Sequence, residues 1–225
     1  SADLYDTNLL ILLHGAGDSP LPFSKFATKL ALPQTATLAI SAQLFEKLPF
    51  ELGFTYFNEM DYSTGHKLQC SDPKRLKSLQ NAVEKLSKMI RTLSEVWMPE
   101  RIFLFGFSNG ACLAMETALS WSYNRIDSIV LGGAICVAGG IRCLEKKKDA
   151  KLTRTNSASP ILLLVGAKDV NFSPSMAALS SQLYASHTTK EDLVTIDIAK
   201  HKISFESSMI NSKEEVQALM TFLSD

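Results

Sequence analysis

The chain has 225 residues, 46% of them hydrophobic, and its 23 basic side chains balance 23 acidic ones. This length and this apolar content predict one globular domain, residues 1–225, that buries a sizeable core. A formal net charge of zero gives no electrostatic reason to expect nucleic acid or an anionic membrane as a partner.

Short apolar runs, which predict buried strands, alternate along the chain with amphipathic or capped segments, which predict helices. The predicted strands are, in chain order, Leu9–Leu13, Ala36–Ile40, Arg101–Phe107, Ser128–Val137, Pro160–Val165 and, nearer the sheet edge, Leu193–Ile198. The predicted helices are Phe23–Leu32, a long one that opens at Pro73 and is ended by Pro99, Ala111–Tyr123, one from Pro174 to about Ser186, and Lys213–Leu223. Residues 41–72 and 139–159 are predicted to be irregular, the second with a solvated cluster at Lys146, Lys147, Lys148 and Lys151. This alternation predicts an α/β fold, with a mostly parallel sheet covered by helices on both faces.

The four cysteines, Cys70, Cys112, Cys136 and Cys143, lack C-x-x-C spacing, which argues against a zinc or redox site. Cys112 and Cys136 fall in apolar segments, so we expect them to be buried free thiols. This usage favours a reducing compartment, and a cytoplasmic location is expected. The first apolar run has five residues, Leu9–Leu13, and neither a signal peptide nor a transmembrane segment is predicted.

The run Gly106-Phe107-Ser108-Asn109-Gly110 joins the third predicted strand to the third predicted helix. A serine on a glycine-flanked turn between a strand and a helix is typical of the nucleophile elbow of serine hydrolases. Such a turn strains the backbone of the serine and requires small neighbours two residues away on each side. We predict Ser108 as the nucleophile; the alternative is an ordinary strand-to-helix turn without chemistry.

A serine hydroxyl needs a base, and the chain offers four histidines. His201 follows the last predicted strand by three residues, at the carboxyl edge of the sheet, where the active sites of such sheets lie. His201 is therefore the predicted base, with a surface loop histidine as the alternative. We expect His14 to hold the glycine-rich loop after it by hydrogen bonds, His66 to be exposed, and His187 to lie at the end of a helix.

The base in turn needs an orienting carboxylate. Asp169 closes the segment Gly166-Ala167-Lys168-Asp169 after a predicted buried strand, and the glycine allows the chain to turn there. We predict Asp169 as this acid, with a surface-turn aspartate as the alternative. The order Ser108, Asp169, His201 is the chain order of the triad in α/β-hydrolases.

Attack on a carbonyl creates a negative oxygen that preorganised N–H donors stabilise. One predicted donor is the backbone N–H of Asn109, directly after the nucleophile. The other is the N–H of Ala16, within the loop His14-Gly15-Ala16-Gly17 that follows the first strand. A phosphate-binding loop is the rival interpretation, but its G-x-x-x-x-G-K-[ST] pattern is absent from the sequence.

Four motifs together resemble the phospholipase/carboxylesterase family, which contains the acyl-protein thioesterases. They are L-L-H-G-A-G-D-S, G-F-S-N-G-A, G-A-K-D and the late His201, and the resemblance runs from about Leu9 to the closing helix. It implies an α/β-hydrolase core without a large lid domain, and it implies that neither a cofactor nor a metal takes part. It also implies the roles of nucleophile, base, acid and two oxyanion donors for Ser108, His201, Asp169, Ala16 and Asn109.

The chain departs from the family pattern near the site. Asn109-Gly110-Ala111 stands where the family commonly has Gln-Gly-Gly, so a side-chain contact is expected to differ. Phe172-Ser173-Pro174 replaces a usual Val-Pro pair, and Lys200 replaces a glycine before the histidine. These departures bear on the identity of the substrate rather than on the type of reaction.

The sequence thus predicts a serine hydrolase that cleaves carboxylic ester or thioester bonds through an acyl-enzyme. Its substrate is expected to be a small acyl ester or an acylated protein, and no oligomeric state is predicted. Phe54, Tyr56 and Phe57 are candidate walls of the acyl pocket, with plain core residues as the alternative. The sequence is also compatible with hydrolysis of a different acyl bond, such as a lactone or a peptide, and with a non-catalytic binding protein on the same scaffold.

Overall fold

The computed structural model describes residues 6–49, 52–123, 129–142, 158–166, 168–186, 193–197, 209–210 and 212–224. The strands are β1 (Asn8–Leu13), β2 (Thr35–Ile40), β3 (Glu46–Lys47), β4 (Phe54–Thr55), β5 (Met60–Asp61), β6 (His66–Lys67), β7 (Ile102–Phe107), β8 (Gly133–Val137), β9 (Ile161–Val165) and β10 (Leu193–Asp197). The helices are α1 (Pro20–Leu30), α2 (Pro73–Leu93), α3 (Asn109–Tyr123), α4 (Pro174–Ala185) and α5 (Lys213–Ser224).

Six strands form a sheet in the order β10-β9-β8-β7-β1-β2, and every neighbouring pair is parallel. All six carboxyl ends therefore meet at one edge of the sheet. β7 lies near the middle, between β1 and β8, so the residues that follow it are flanked by the loops after both neighbours. The predicted parallel sheet is confirmed, and so is the edge position of its last strand.

Side chains of successive residues point to opposite faces of the sheet, and both faces are apolar. In β1, Leu9, Ile11 and Leu13 belong to one buried cluster, which also contains residues of α2, α3 and α4. Leu10 and Leu12 belong to the other, which contains residues of α1 and α5. Helices thus cover both faces, as the sequence predicts.

Several predicted bounds differ from the observed ones. α2 begins at Pro73 as expected, with Asp72 as its N-cap, but it ends at Leu93 rather than near Pro99. There the N–H and the hydroxyl of Ser94 both bond to the carbonyl of Ile90, at 2.8 Å each, which closes the last turn. The region 41–72 is less irregular than predicted, because two antiparallel pairs of two-residue strands, β3–β4 and β5–β6, fold within it.

Two further bounds also differ, since one helix ends earlier and one strand begins later than predicted. α1 ends at Leu30, before the expected Leu32, because Ala31 takes the left-handed conformation with φ 46°. β8 begins at Gly133, so the apolar residues before it belong to the approach to the strand. Among the described residues, we find no helix that combines the length and apolarity needed to cross a bilayer.

Candidate active site

Ser108 lies in the turn between β7 and α3, at the carboxyl edge of the sheet. Its φ of 52° is in the left-handed region, which costs an L-residue about 1–2 kcal/mol. The backbone is fixed on both sides, since its N–H donates to the carbonyl of Val137 at 2.8 Å and its carbonyl accepts from Cys112 N–H at 3.0 Å. The predicted strain at this serine is therefore confirmed.

The glycines on either side of the turn allow α3 to approach the sheet closely. A Cβ atom on Gly106 would overlap the carbonyl oxygen of Gly110 and lie 2.5 Å from the Cα atom of Ala111. A Cβ atom on Gly110 would overlap the carbonyl oxygen of Leu13 and lie 2.7 Å from that of His14. These neighbours are backbone atoms, which cannot rotate away, so both positions need glycine. The small neighbours expected of an elbow are confirmed.

The loop after β1, residues 14–19, adjoins the elbow, because a Cβ atom on Gly15 would lie 3.8 Å from the Cβ atom of Ser108. Gly17 N–H donates to the carbonyl of Phe54 at 2.9 Å, which ties the loop to β4. Ala16 is exposed, and its N–H has no acceptor among the described residues. Asn109 is the first residue of α3, where a backbone N–H has no partner within the helix. Both predicted donors thus belong to segments that meet at Ser108.

His14 is a structural residue of this loop, as predicted. Its side chain is buried, Nδ1 donates to the carbonyl of Gly15 at 2.7 Å, and Nε2 accepts from Ala42 N–H at 3.0 Å. One donor and one acceptor define the neutral imidazole. Burial lowers the pKa of His14 below its usual value, which keeps it neutral. Both ring nitrogens are occupied, so His14 is not available as a base.

Asp169 follows β9 at the same edge of the sheet and is partly exposed. Its Oδ1 accepts from the N–H groups of Asn171 at 2.8 Å and Phe172 at 2.9 Å. These bonds fix the carboxylate and engage one oxygen, while Oδ2 has no partner among the described residues. His201, the predicted base, lies outside the described residues, as do His187 and the lysine cluster; His66 is exposed, as predicted.

The three aromatic candidates for the acyl pocket differ in burial. Tyr56 and Phe57 are 1% and 0% exposed and belong to the core, whereas Phe54 is partly buried and packs against that core. The hydroxyl of Tyr56 donates to the carbonyl of Ile40 at 2.7 Å and accepts from His14 N–H at 3.2 Å. Burial raises the pKa of Tyr56 far above its usual range, so it stays neutral. Burial favours the core alternative for Tyr56 and Phe57.

A network that the sequence analysis missed surrounds the side chain of Asn109. This amide bonds to Thr55, Tyr56, Phe57 and Glu59, and Glu59 in turn forms an ion pair with Arg142. The sequence predicts that the side chain of Asn109 makes a different contact from the glutamine usual in the family, but it does not identify the residues contacted. One feature of the sequence could have indicated the ion pair, because each partner is a charged residue beside an uncharged stretch. Glu59 ends an aromatic run, and Arg142 follows Gly139-Gly140-Ile141.

The described residues contain no group of three histidine, cysteine or acidic side chains that could hold a metal ion. Cys112 and Cys136 are free thiols. Cys112 and Cys136 are buried as predicted, and burial raises the pKa of Cys112 to about 11. Both thiols therefore remain protonated at neutral pH and are poor nucleophiles.

A cavity of about 720 Å³ lies at the opposite edge of the sheet. It is lined by residues at the amino ends of β1 and β2 and just before β7, among them Asn8, Thr35 and Arg101. Ser108 follows the other end of β7, so this cavity is separate from the elbow.

Comparison with known proteins agrees with this arrangement. The model of the Phospholipase/Carboxylesterase family matches residues 1–224. An uncharacterized hydrolase of Mycosarcoma maydis is 28% identical over 222 residues, which cover 97% of this chain and 76% of that protein. The crystal structure of acyl-protein thioesterase 2 from Zea mays has a TM-score of 0.73 at 16% identity, with 100% of this chain and 95% of that chain covered. For a carboxylesterase from Mesorhizobium loti, the TM-score is 0.67 at 18% identity, with 97% and 88% covered.

The two solved structures are too distant in sequence to indicate more than a shared fold, which is the α/β-hydrolase fold. The family model covers nearly the whole sequence, including the elbow and the loop after β1. The chain therefore belongs to the phospholipase/carboxylesterase family of hydrolases.

Proposed function

We propose that the protein is a serine hydrolase that cleaves carboxylic ester or thioester bonds through an acyl-enzyme intermediate. The observation that carries this proposal is the elbow: Ser108 has a φ of 52° between β7 and α3, next to the N–H groups of Asn109 and Ala16, for which no acceptor is found among the described residues. Acyl transfer needs an exposed nucleophile, which a serine on such a turn supplies. It also needs hydrogen-bond donors beside the nucleophile that stabilise the oxyanion.

In the proposed reaction, the Oγ atom of Ser108 attacks the acyl carbonyl carbon while His201 takes the hydroxyl proton. The carbonyl π bond becomes an oxyanion, which collapses and expels the alcohol or thiol, protonated by His201. Water then attacks the acyl-enzyme with His201 as base and releases the carboxylic acid and Ser108. Asp169 orients His201 through Oδ2, because two backbone N–H groups hold Oδ1.

The oxyanion is proposed to bind the N–H groups of Asn109 and Ala16. The first lies at the N-terminus of α3, where the helix dipole adds a partial positive charge. The second belongs to a loop that His14 and Gly17 hold in place, so little reorganisation accompanies the reaction. Loss of one such donor typically costs about 3–4 kcal/mol of transition-state stabilisation.

The proposed substrate is a small acyl ester or an acylated protein. The names of the similar structures, an acyl-protein thioesterase and a carboxylesterase, support both classes. Of the three aromatic candidates, Phe54 is partly exposed and is proposed to contact the acyl group. A cytoplasmic location is proposed on the basis of the buried free thiols at Cys112 and Cys136.

The test is turnover of p-nitrophenyl esters and acyl thioesters, with acyl chains from acetyl to palmitoyl. Ser108→Ala is expected to lower kcat by about a thousandfold or more. Ser24→Ala, an exposed serine on α1, is the matched control and is expected to keep wild-type rates. The acyl chain with the highest kcat/KM separates a short-chain esterase from a long-chain thioesterase. Wild-type protein without turnover on any member of the series would contradict the proposal.

The roles of the other two residues are tested by Asp169→Asn and His201→Gln. Asparagine keeps an oxygen that can accept the two backbone N–H groups and removes the charge. Such a change lowers kcat by about 10⁴-fold where an aspartate orients the catalytic histidine. Unchanged kcat in either variant would remove that residue from the mechanism.

A further inference from the structure

The side chain of Asn109 uses its whole hydrogen-bonding capacity inside the protein. Its Oδ1 accepts from the hydroxyl of Thr55 and the N–H of Tyr56, both at 3.1 Å. Its Nδ2 donates to the carbonyl of Phe57 at 3.3 Å and to Oε2 of Glu59 at 3.1 Å. A carboxamide offers two donors and an oxygen with two lone pairs, and each of these faces a polar partner here; the single proton of the Thr55 hydroxyl is shared with the carbonyl of Phe57 at 2.9 Å. The residue beside the nucleophile is thereby tied to the segment that contains these four partners.

Glu59 is the charged member of this network. Its Oε1 lies 3.5 Å from Nη1 of Arg142, and the two side chains are 17% and 13% exposed. A carboxylate with so little access to water is costly to keep ionised unless a cation faces it. Arg142 is that cation. Oε2 of the same carboxyl group accepts from the amide of Asn109, and a carboxylate oxygen binds such a donor more strongly than a neutral oxygen would.

Arg142 belongs to a third segment of the chain, distinct from α3 and from the segment that contains Glu59. It lies in the segment that follows β8, and Gly139 in that segment packs directly on the elbow. A Cβ atom on Gly139 would overlap the carbonyl oxygen of Ser108 and lie 3.0 Å from the Cβ atom of Ala111. The first turn of α3 is thus held between the loop of Arg142 and the segment of Glu59, and the ion pair joins the two.

We propose that Glu59 and Arg142 are positioning residues for the reaction proposed above, on which this inference rests. Their ion pair holds the side chain of Asn109, and through it the backbone N–H of Asn109 that faces the developing oxyanion. An effective donor lies about 2.7–3.1 Å from the position of that oxygen, so a small displacement of Asn109 weakens transition-state binding more than substrate binding.

A second carboxylate provides a matched control. Glu46 holds Asn58, the residue next to Glu59, by accepting a hydrogen bond from its Nδ2 at 2.8 Å. Glu46 also accepts from the hydroxyl of Ser78 at 2.7 Å. No bond between Glu46 and Asn109 is found among the described residues. Glu46→Gln therefore loosens the same segment without touching the amide of Asn109, whereas Glu59→Gln weakens its acceptor directly.

The experiment compares Glu59→Gln, Glu46→Gln and wild type by kcat, KM, melting temperature and the inhibition constant of an acyl trifluoromethyl ketone. This ketone forms a tetrahedral adduct with a catalytic serine and so reports on the oxyanion hole. Glu59→Gln is expected to lower kcat by about 10- to 100-fold, less than the loss of a whole donor, with KM changed by less than about threefold. The inhibition constant is expected to rise by a similar factor, while Glu46→Gln leaves kcat and inhibition unchanged.

Equal effects of Glu59→Gln and Glu46→Gln on kcat, or an effect of Glu59→Gln confined to KM, would overturn the proposal. Should Glu59→Gln fail to fold, the double variant Glu59→Gln/Arg142→Gln leaves no unpaired charge and takes its place with the same expected losses. Arg142→Lys keeps the charge and is expected to retain more kcat than Arg142→Gln; equal losses would count against the ion pair.

Hydrogen–deuterium exchange of the peptide that spans Gly106 to Ala114 separates this inference from the proposed function. Inactive wild-type protein would remove the proposed function. In that case, faster exchange in Glu59→Gln than in Glu46→Gln would still show that the pair holds the elbow, and equal exchange would show that it does not.

Discussion

Replacement of Ser108 by glycine is expected to stabilise the protein relative to replacement by alanine, although both changes are expected to abolish turnover. The reason is the φ of 52° at this position, which glycine adopts freely and alanine does not. The backbone bonds of Ser108 to Val137 and Cys112 do not depend on the side chain. The two variants therefore differ in backbone strain and in the entropy of the unfolded chain.

The magnitude follows from these two quantities. The left-handed backbone conformation destabilises the folded alanine variant by about 1–2 kcal/mol. Against this, the greater conformational entropy of glycine stabilises the unfolded chain by about 0.4–1 kcal/mol. The free energy of unfolding of Ser108→Gly should then exceed that of Ser108→Ala by about 0.5–1 kcal/mol. In a protein of this size, that difference raises the melting temperature by about 1–4 °C.

Urea denaturation followed by circular dichroism measures the difference, with two matched pairs as controls. Gln34 has a φ of 51° in an exposed turn, so Gln34→Gly should likewise be more stable than Gln34→Ala. Ser24 lies within α1, where glycine should be less stable than alanine by about 1 kcal/mol. If the pair at Ser108 behaved like the pair at Ser24, the backbone of Ser108 would carry no strain that glycine relieves, contrary to this prediction.

Three other predictions concern the surroundings of the elbow. Tyr56→Phe leaves the buried N–H of His14 and carbonyl of Ile40 without their partner, so urea denaturation should show a loss of about 2–4 kcal/mol; stability within about 0.5 kcal/mol of wild type would contradict this. Burial lowers the pKa of His14 in the folded protein. At pH values between this lowered pKa and the usual pKa of 6.5, the unfolded chain therefore binds a proton that the folded protein does not. The free energy of unfolding should therefore rise as the pH increases towards and through the usual pKa of 6.5, and by less in His14→Gln; an equal rise in both would exclude this contribution. Gly110→Ala places a Cβ atom against the carbonyl of Leu13 and should lower the melting temperature, since overpacking costs about 1–3 kcal/mol against a helix-propensity gain of about 1 kcal/mol; a higher melting temperature would show that α3 can move away.

The sheet and the elbow could be predicted from the sequence because they depend on local patterns. Apolar runs such as Leu9–Leu13 indicate strands, and the glycines around Ser108 reflect steric limits within five consecutive residues. The role of His14 was also accessible, since a histidine directly before a glycine-rich loop is well placed to bond to that loop.

The partners of the Asn109 side chain could not be predicted in the same way. Glu59 is 50 positions from Asn109 in the sequence, and Arg142 reaches Glu59 through a loop after a different strand. No periodic pattern connects such residues, because tertiary packing alone brings them together. The small strands of the region 41–72 were missed for a related reason, since pairs of two residues are too short to show an alternation.

The central claim is that Ser108 forms a covalent bond with the acyl group, and a fluorophosphonate tests it most directly. The reagent is incubated with wild-type protein and with Ser108→Ala, and the adduct is located by mass spectrometry of the peptides. We expect one adduct, on the peptide that contains Ser108, and none in the variant. An adduct on another residue in wild type, or ester turnover that persists in Ser108→Ala, would contradict the claim.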